Sequence, residues 1–295
     1  MSDNPLIFDR AILRHRRRRA MALGAETFLL DHVMDDLTER LSVVKRHFPR
    51  ALDLGAGGDL PGKLIAGGFA ERVVALRDMA SPGLAMQVVA DEEALPFADG
   101  AFDLAVSLLS LQHVNDLPGT LVQIRRALKP DGLFVASLLG GATLNELRFA
   151  FAQAEAEIEG GASPHVASFA DLRDLGSLLQ RAGFALPVTD TDKLTVRYDD
   201  VFALMRDLRR MGATNVLRER SRKPLRRATL MRMAQVYAEN FSDADGRLRA
   251  SFEIVWLSGW SPHDSQQQPL RPGSARTRLA DALGTVEMPV KDSEN

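Results

Sequence analysis

The chain has no cysteine in its 295 residues. Disulfides, thiolate zinc sites, iron–sulfur ligation and a cysteine nucleophile are therefore excluded within it, in keeping with a reducing compartment. An excess of charge is also missing. The 37 Lys+Arg face 39 Asp+Glu for a formal net charge of −2, so no global positive field argues for nucleic acid. No apolar run approaches the ~18 residues of a membrane-spanning helix. Arg14 and Arg16 to Arg19 are followed by no apolar signal-peptide segment, and Asp3 and Asp9 disfavour a transit peptide. These absences read as a soluble cytoplasmic protein without a transmembrane segment; Arg14–Arg19 could touch acidic lipid or a partner protein, although a charge run is usually a solvated face.

What is present is ordinary for a globular chain: 45% hydrophobic and 26% charged residues, enough to exclude wholesale disorder. The segment Pro5–Leu23 reads as a basic helix. Leu30, Val33, Met34, Leu37, Leu41, Val44 and Phe48 recur at helical spacing, with Pro49 as the stop. Short apolar runs then alternate with helical stretches: Ala51–Leu54, Arg72–Leu76, Met86–Ala90, Phe102–Leu108 and Leu133–Leu138. Strands nearly bare of polar residues, separated by helices, predict a doubly wound parallel sheet covered on both faces. Beyond it, helices are predicted at Thr143–Glu159, Phe169–Ala182, Val201–Met211 and Leu225–Phe241, and strands at Leu194–Tyr198 and Ser251–Trp260. The implied layout is N-terminal helices over 1–49, an α/β core over 50–198, a helical insertion over 199–250, a final core strand over 251–262 and an extension over 263–295 that frays after Leu283.

The run Asp53-Leu54-Gly55-Ala56-Gly57-Gly58-Asp59-Leu60-Pro61 carries the most chemistry. A buried strand enters a glycine turn, and Pro61 suits the first turn of a helix. Glycine lets a backbone approach a ligand, and a helix start offers N–H groups to an anion. A tight strand–helix turn without a ligand would look the same. Two later carboxylates weigh for a ligand. Asp78 follows the second strand, where a carboxylate can take both hydroxyls of a ribose. Asp91 and Glu92 follow the third, where one can accept from an adenine amine, although both also suit a capping role.

With Leu95-Pro96-Phe97, Ala101-Phe102-Asp103 and Leu128-Lys129-Pro130-Asp131-Gly132, the stretch 50–138 resembles class I S-adenosylmethionine-dependent methyltransferases. The resemblance implies a Rossmann-like doubly wound sheet, S-adenosyl-L-methionine as cofactor, and a cofactor-binding set of Asp53, Gly55, Ala56, Gly57, Asp78, Met79, Asp91 and Glu92. Asp53, Gly55 and Gly57 would border the methionine moiety, Asp78 the ribose and Asp91 the adenine. The chain departs from the family at Asp59, where a third glycine is usual. In left-handed geometry a side chain there costs ~1–2 kcal/mol, and the carboxylate would face the methionine carboxylate unless it caps the next helix.

A narrower resemblance spans most of the chain: Ile7-Phe8-Asp9-Arg10, Val114-Asn115-Asp116-Leu117-Pro118, Gly140-Gly141-Ala142-Thr143-Leu144, Ser163-Pro164-His165, Met211-Gly212 and Gly259-Trp260 with Pro262-His263. These stretches are similar to methyltransferase-like assembly factors of respiratory complex I and their bacterial relatives. That resemblance implies a protein substrate, the iron–sulfur subunit of NADH:quinone oxidoreductase, and arginine hydroxylation as the attributed activity. Non-haem iron would call for two imidazoles and a carboxylate, and none of the six histidines has a carboxylate close by in His-x-Asp or His-x-Glu spacing. No metal ligands are assigned. His113 and His165 are the candidates for a catalytic base. The arginine-rich stretch Arg206 to Arg227 could meet RNA phosphates, but it lacks aromatic residues for base stacking, so nucleic acid is disfavoured. The leading expectation is an S-adenosylmethionine-binding enzyme that modifies a protein during complex I assembly. The alternatives are a small-molecule or acyl-carrier-protein carboxyl O-methyltransferase, a non-catalytic assembly chaperone and an RNA methyltransferase.

Overall fold

A computed structural model describes residues 6–55, 57–81, 83–169, 171–267, 280–281 and 284–286. Two helices come first, α1 (Arg10–Ala22) and α2 (Phe28–Ser42). They are followed by β1 (Phe48–Leu54), α3 (Leu60–Ala66), β2 (Ala70–Arg77), β3 (Gln87–Val89), β4 (Phe102–Leu108), α4 (Leu117–Ala127) and β5 (Leu128–Leu139). The remainder is α5 (Asn145–Glu159), α6 (Leu172–Arg181), β6 (Ala185–Tyr198), α7 (Val201–Arg210), α8 (Arg227–Phe241) and β7 (Leu248–Trp260).

The seven strands of the described residues join one sheet in the order β3-β2-β1-β4-β5-β7-β6. The first five are parallel, while β7 runs antiparallel between β5 and β6. Period-two alternation sends neighbouring residues to opposite faces. Ala51, Leu104, Val106, Leu133 and Val135 pack with α2, α5, α7 and α8, whereas Leu52, Leu54, Ala105, Phe134 and Ala136 pack with α4 and α6. Both faces are dry, which explains why these strands read as unbroken apolar runs.

Three differences from the sequence reading have physical causes. Pro49 does not end α2; the helix closes at Ser42, and Pro49 lies inside β1. Phe48 and Arg50 pair with β2, but pairing with β4 begins only at Ala51, so the missing N–H falls where the ladder is one-sided. β6 starts at Ala185 instead of Leu194. It is an edge strand with one face toward water, so its sequence alternates polar and apolar and hides among loop-like residues. α1 starts at Arg10, where the Asp9 carboxylate accepts from the Ile12 N–H at 3.1 Å; Pro5 lies outside the described residues. No helix of the described residues is long and apolar enough to cross a membrane.

The chain divides into two units, residues 1–262 and 263–295. In the second, the His263 ring and the Ser265 hydroxyl stand 2.7 Å apart, and the Thr285 N–H donates to the Ala280 carbonyl at 2.9 Å. The predicted fraying past Leu283 falls almost wholly outside the described residues.

Candidate functional site

The carboxyl ends of β1, β2 and β3 bring the predicted cofactor residues to one edge of the sheet, the place where open α/β sheets bind ligands. Gly55 and Gly58 turn the chain with φ of +71° and +68°, values that favour glycine. A Cβ on Gly55 would sit 2.2 Å from the Ser110 hydroxyl and 2.6 Å from a Glu92 oxygen, so the chain's own packing also requires glycine there. Gly57 is exposed beside the turn, and Ala56 lies outside the described residues.

Asp53 is fully buried at the end of β1, and Arg77 at the end of β2 donates to its carboxylate at 2.5 Å. Arg77 also donates to the Asp53 carbonyl at 3.4 Å, which fastens the two strand ends together. Asp59 does not adopt left-handed geometry. Its φ is −104°, and its carboxylate accepts from the Gly62 N–H at 3.0 Å as the cap of α3. The backbone strain predicted for this departure therefore does not arise.

The other carboxylates are engaged by one helix. Arg17 of α1 reaches Asp78 at 2.9 Å. Arg10 donates to Asp91 at 2.8 Å and to Glu92, while Arg14 stands 3.8 Å from Asp91. Glu92 is wholly buried, and the Ser110 hydroxyl donates to it at 3.0 Å. Burial, the largest influence, pushes the Glu92 carboxyl up, but Arg10 and Arg17 outweigh it and hold it below its ordinary value. Met79 follows Asp78, half-buried in the turn after β2. Sequence reasoning missed Arg10, Arg17, Arg77 and Ser110 as partners of these carboxylates. The available signal was the three- and four-residue spacing of Arg10, Arg14 and Arg17, which puts them on one helical face.

A cavity of about 380 Å³ opens among α1, α2, α5, α7 and the stretches 165–169 and 213–225. Leu29, Leu147, Phe151, Met205, Leu208 and Phe252 form part of its apolar wall. α5 is held in place by β7: Thr143 bonds the Glu253 backbone in both directions at 3.1 Å, and the Ser251 hydroxyl donates to Glu146 at 2.5 Å.

Both candidate histidines line this cavity. His165 lies parallel to the Phe151 ring at 3.9 Å, and its Nε2 meets Glu155 at 2.7 Å. Ser163 adds two donors to the same carboxylate, at 2.5 Å from its N–H and 3.0 Å from its hydroxyl. The imidazole is thereby fixed in position and orientation. His113 packs edge-on against Phe8, and its carbonyl accepts from Arg10 at 3.3 Å, linking the cavity to the carboxylate cluster. Desolvation, with Arg17 and Arg10 nearby, pushes its imidazole down to about 3, so it is neutral at physiological pH and a weak proton acceptor. Of the two candidates for a base, this burial disfavours His113.

Among the described residues, His32, Asp36 and Asp192 form the one histidine–carboxylate group with ligand atoms within 4.8 Å of one another. It joins α2 to β6, contains a single imidazole, and none of its members lines the cavity.

Known proteins match this arrangement along most of the chain. A family model described as Methyltransferase domain matches residues 14–187. Arginine-hydroxylase NDUFAF5, mitochondrial, of Danio rerio is 39% identical over 287 residues, covering 93% of this chain and 89% of that protein. The protein of the same name in Homo sapiens is 41% identical over 293 residues, covering 95% and 84%. Malonyl-acyl-carrier-protein O-methyltransferase of Gallionella capsiferriformans is 33% identical over 278 residues, covering 88% and 93%. Among solved structures, the YcgJ protein of Bacillus subtilis aligns with a TM-score of 0.53 at 14% identity over 79% of this chain and 99% of its own, a likeness of fold. The chain belongs to the methyltransferase-domain family and, within it, to the NDUFAF5-like subgroup.

Proposed function

We propose that the protein is an S-adenosylmethionine-binding enzyme that modifies a protein substrate in the assembly of respiratory complex I. The observation that carries this reading is the 39–41% identity to proteins named arginine-hydroxylase over more than nine-tenths of the chain. The substrate would be the iron–sulfur subunit of NADH:quinone oxidoreductase, met in the cytoplasm near the inner membrane face.

The donor set fits an adenosyl group in kind. A glycine turn adjoins carboxylates at the ends of two successive strands, beside a cavity for a second molecule. Gly55, Ala56 and Gly57 would border the methionine moiety, with Asp53 behind them holding the turn through Arg77. Asp78 would accept from the ribose and Asp91 from the adenine, with Met79 and Glu92 completing the pocket. For this, Arg17 and Arg10 must turn away from the carboxylates they now hold. When bound, the cofactor supplies an electrophilic methyl group. The chain contributes an apolar wall that excludes water and an imidazole, His165, that accepts a proton from the target while Glu155 steadies the resulting charge. The helical insertion, 199–250, would shape the side of the cavity facing the substrate.

A second reading, a carboxyl O-methyltransferase acting on a carrier-borne acid, is favoured by the cations Arg16, Arg209, Arg220 and Lys223 around the cavity. Calorimetry with S-adenosylmethionine tests the shared core of both readings, with Asp78→Asn expected to weaken binding by roughly tenfold or more. Absence of binding would favour the chaperone reading. Mass spectrometry of the quinone oxidoreductase subunits from a deletion strain separates the substrates: an arginine modification should vanish, and its persistence would remove the protein-modifying reading.

A further inference from the structure

We infer that the α1 side of the cavity is a subsite for a carboxylate carried on an aliphatic stem. Four cations line the cavity, Arg16, Arg209, Arg220 and Lys223, against two carboxylates, Glu155 and Glu159. Both carboxylates already have donors, Glu155 from Ser163 and His165 and Glu159 from the Thr229 hydroxyl at 2.6 Å. The cations do not mirror this. Arg16, Arg209 and Lys223 have no side-chain hydrogen bond or ion pair among the described residues. Arg220 donates to the Leu217 carbonyl at 2.6 Å and has Asp9 3.6 Å away.

Arg16 is the centre of this imbalance. It is half-buried on α1, and its guanidinium is pushed below its ordinary value by burial first, then by Arg220 and Arg19, against a smaller opposing pull from Asp9. Arg209 and Lys223 are exposed, whereas Arg16 and Arg220 are half-buried, and like charges brought together out of full contact with water leave a potential that an anion can neutralise. The same cavity has an apolar wall that includes Leu208, Val216 and Leu217, the last two within four residues of Arg220 in the chain. A hydrated inorganic anion would gain nothing from that wall. A carboxylate with a short hydrocarbon stem satisfies both parts, the cations by paired charge-assisted bonds and the wall by contact. Two sources offer this chemistry, a free or thioester-borne acid and the acidic side chain of a protein substrate.

Binding to the full chain without cofactor tests the subsite, so failure of S-adenosylmethionine to bind leaves this result readable. The probes are sodium octanoate, its neutral match octanol, and a blocked tripeptide with a central glutamate beside its glutamine counterpart. Calorimetry should show one acid bound about tenfold or more tighter than its neutral match, an advantage that shrinks as salt rises. Arg16→Gln should erase most of that preference and Arg16→Lys should keep part of it, with unchanged thermal midpoints showing that both variants fold. Tighter binding of octanoate identifies a free or thioester-borne acid, and tighter binding of the glutamate peptide a protein side chain. Equal binding of acids and neutral matches, no binding at all, or a preference that survives both Arg16→Gln and Arg220→Gln would overturn the subsite.

Discussion

Glu92 shows how charge is managed at the residue scale. A carboxylate with no exposed surface persists because Arg10, Arg17 and Ser110 surround it. Removing one partner of a buried pair leaves an uncompensated charge, which costs about 3–5 kcal/mol. Arg10→Ala should therefore lower stability by about that amount in urea denaturation, and Glu92→Gln in the same background should recover part of the loss. His113 sets a pH window. Its folded value, about 3, lies below the ordinary 6.5, so between these limits the unfolded chain binds the extra proton. Stability should fall on acidification by up to about 1.4 kcal/mol per pH unit across that range. Glu92 and Glu155, also held low, add their losses only below their ordinary value of 4.5. Comparing the wild type with His113→Asn from pH 6.5 to 5 should isolate the histidine, with the variant showing the flatter profile.

The elements divide by how much water they meet. Strands β1, β2, β4 and β5 are buried on both faces, so their composition announces them, and the glycine turn after β1 announces the site edge. β6 at the sheet's rim does not, and α1 discloses its helix but not its purpose. A run of arginines looks the same whether it faces solvent or carboxylates from Asp78 to Glu92, more than sixty residues away in sequence. The cavity was hidden for a similar reason, since it is assembled from segments between Arg16 and Phe252 that share no local pattern. Strain is also an element-level property. Leu186, at the irregular start of β6, has φ of +48° and is 52% exposed, so it bears left-handed backbone with little packing in return. Leu186→Gly should stabilise the protein by about 1 kcal/mol, read as a raised denaturant midpoint at unchanged slope.

For the whole molecule, fold and family follow from different evidence. The sheet could be read from apolar runs and the glycine turn because those patterns have local physical causes. The subgroup rested on polar stretches scattered from Ile7 to His263, whose reasons emerge only in three dimensions. Asn115 illustrates this: its side chain accepts from the Phe8 N–H at 2.8 Å, and its own N–H donates to Glu93 at 2.5 Å, tying the N-terminal segment to the turn before β4. The likeness to NDUFAF5 of Danio rerio likewise extends over 93% of the chain.

α1 keeps only Leu13 and Ala20 fully buried, so much of its hold on the molecule is ionic, through Arg10, Arg14 and Arg17. Any nucleoside that claims Asp78 and Asp91 must evict those guanidiniums and loosen the helix that carries them. Trypsin, which cuts after arginine, then becomes a reporter of occupancy: saturating S-adenosylmethionine should speed clipping between Arg14 and Arg19. An unaltered digestion rate with ligand demonstrably bound would mean that the nucleoside reaches its seat without disturbing that latch.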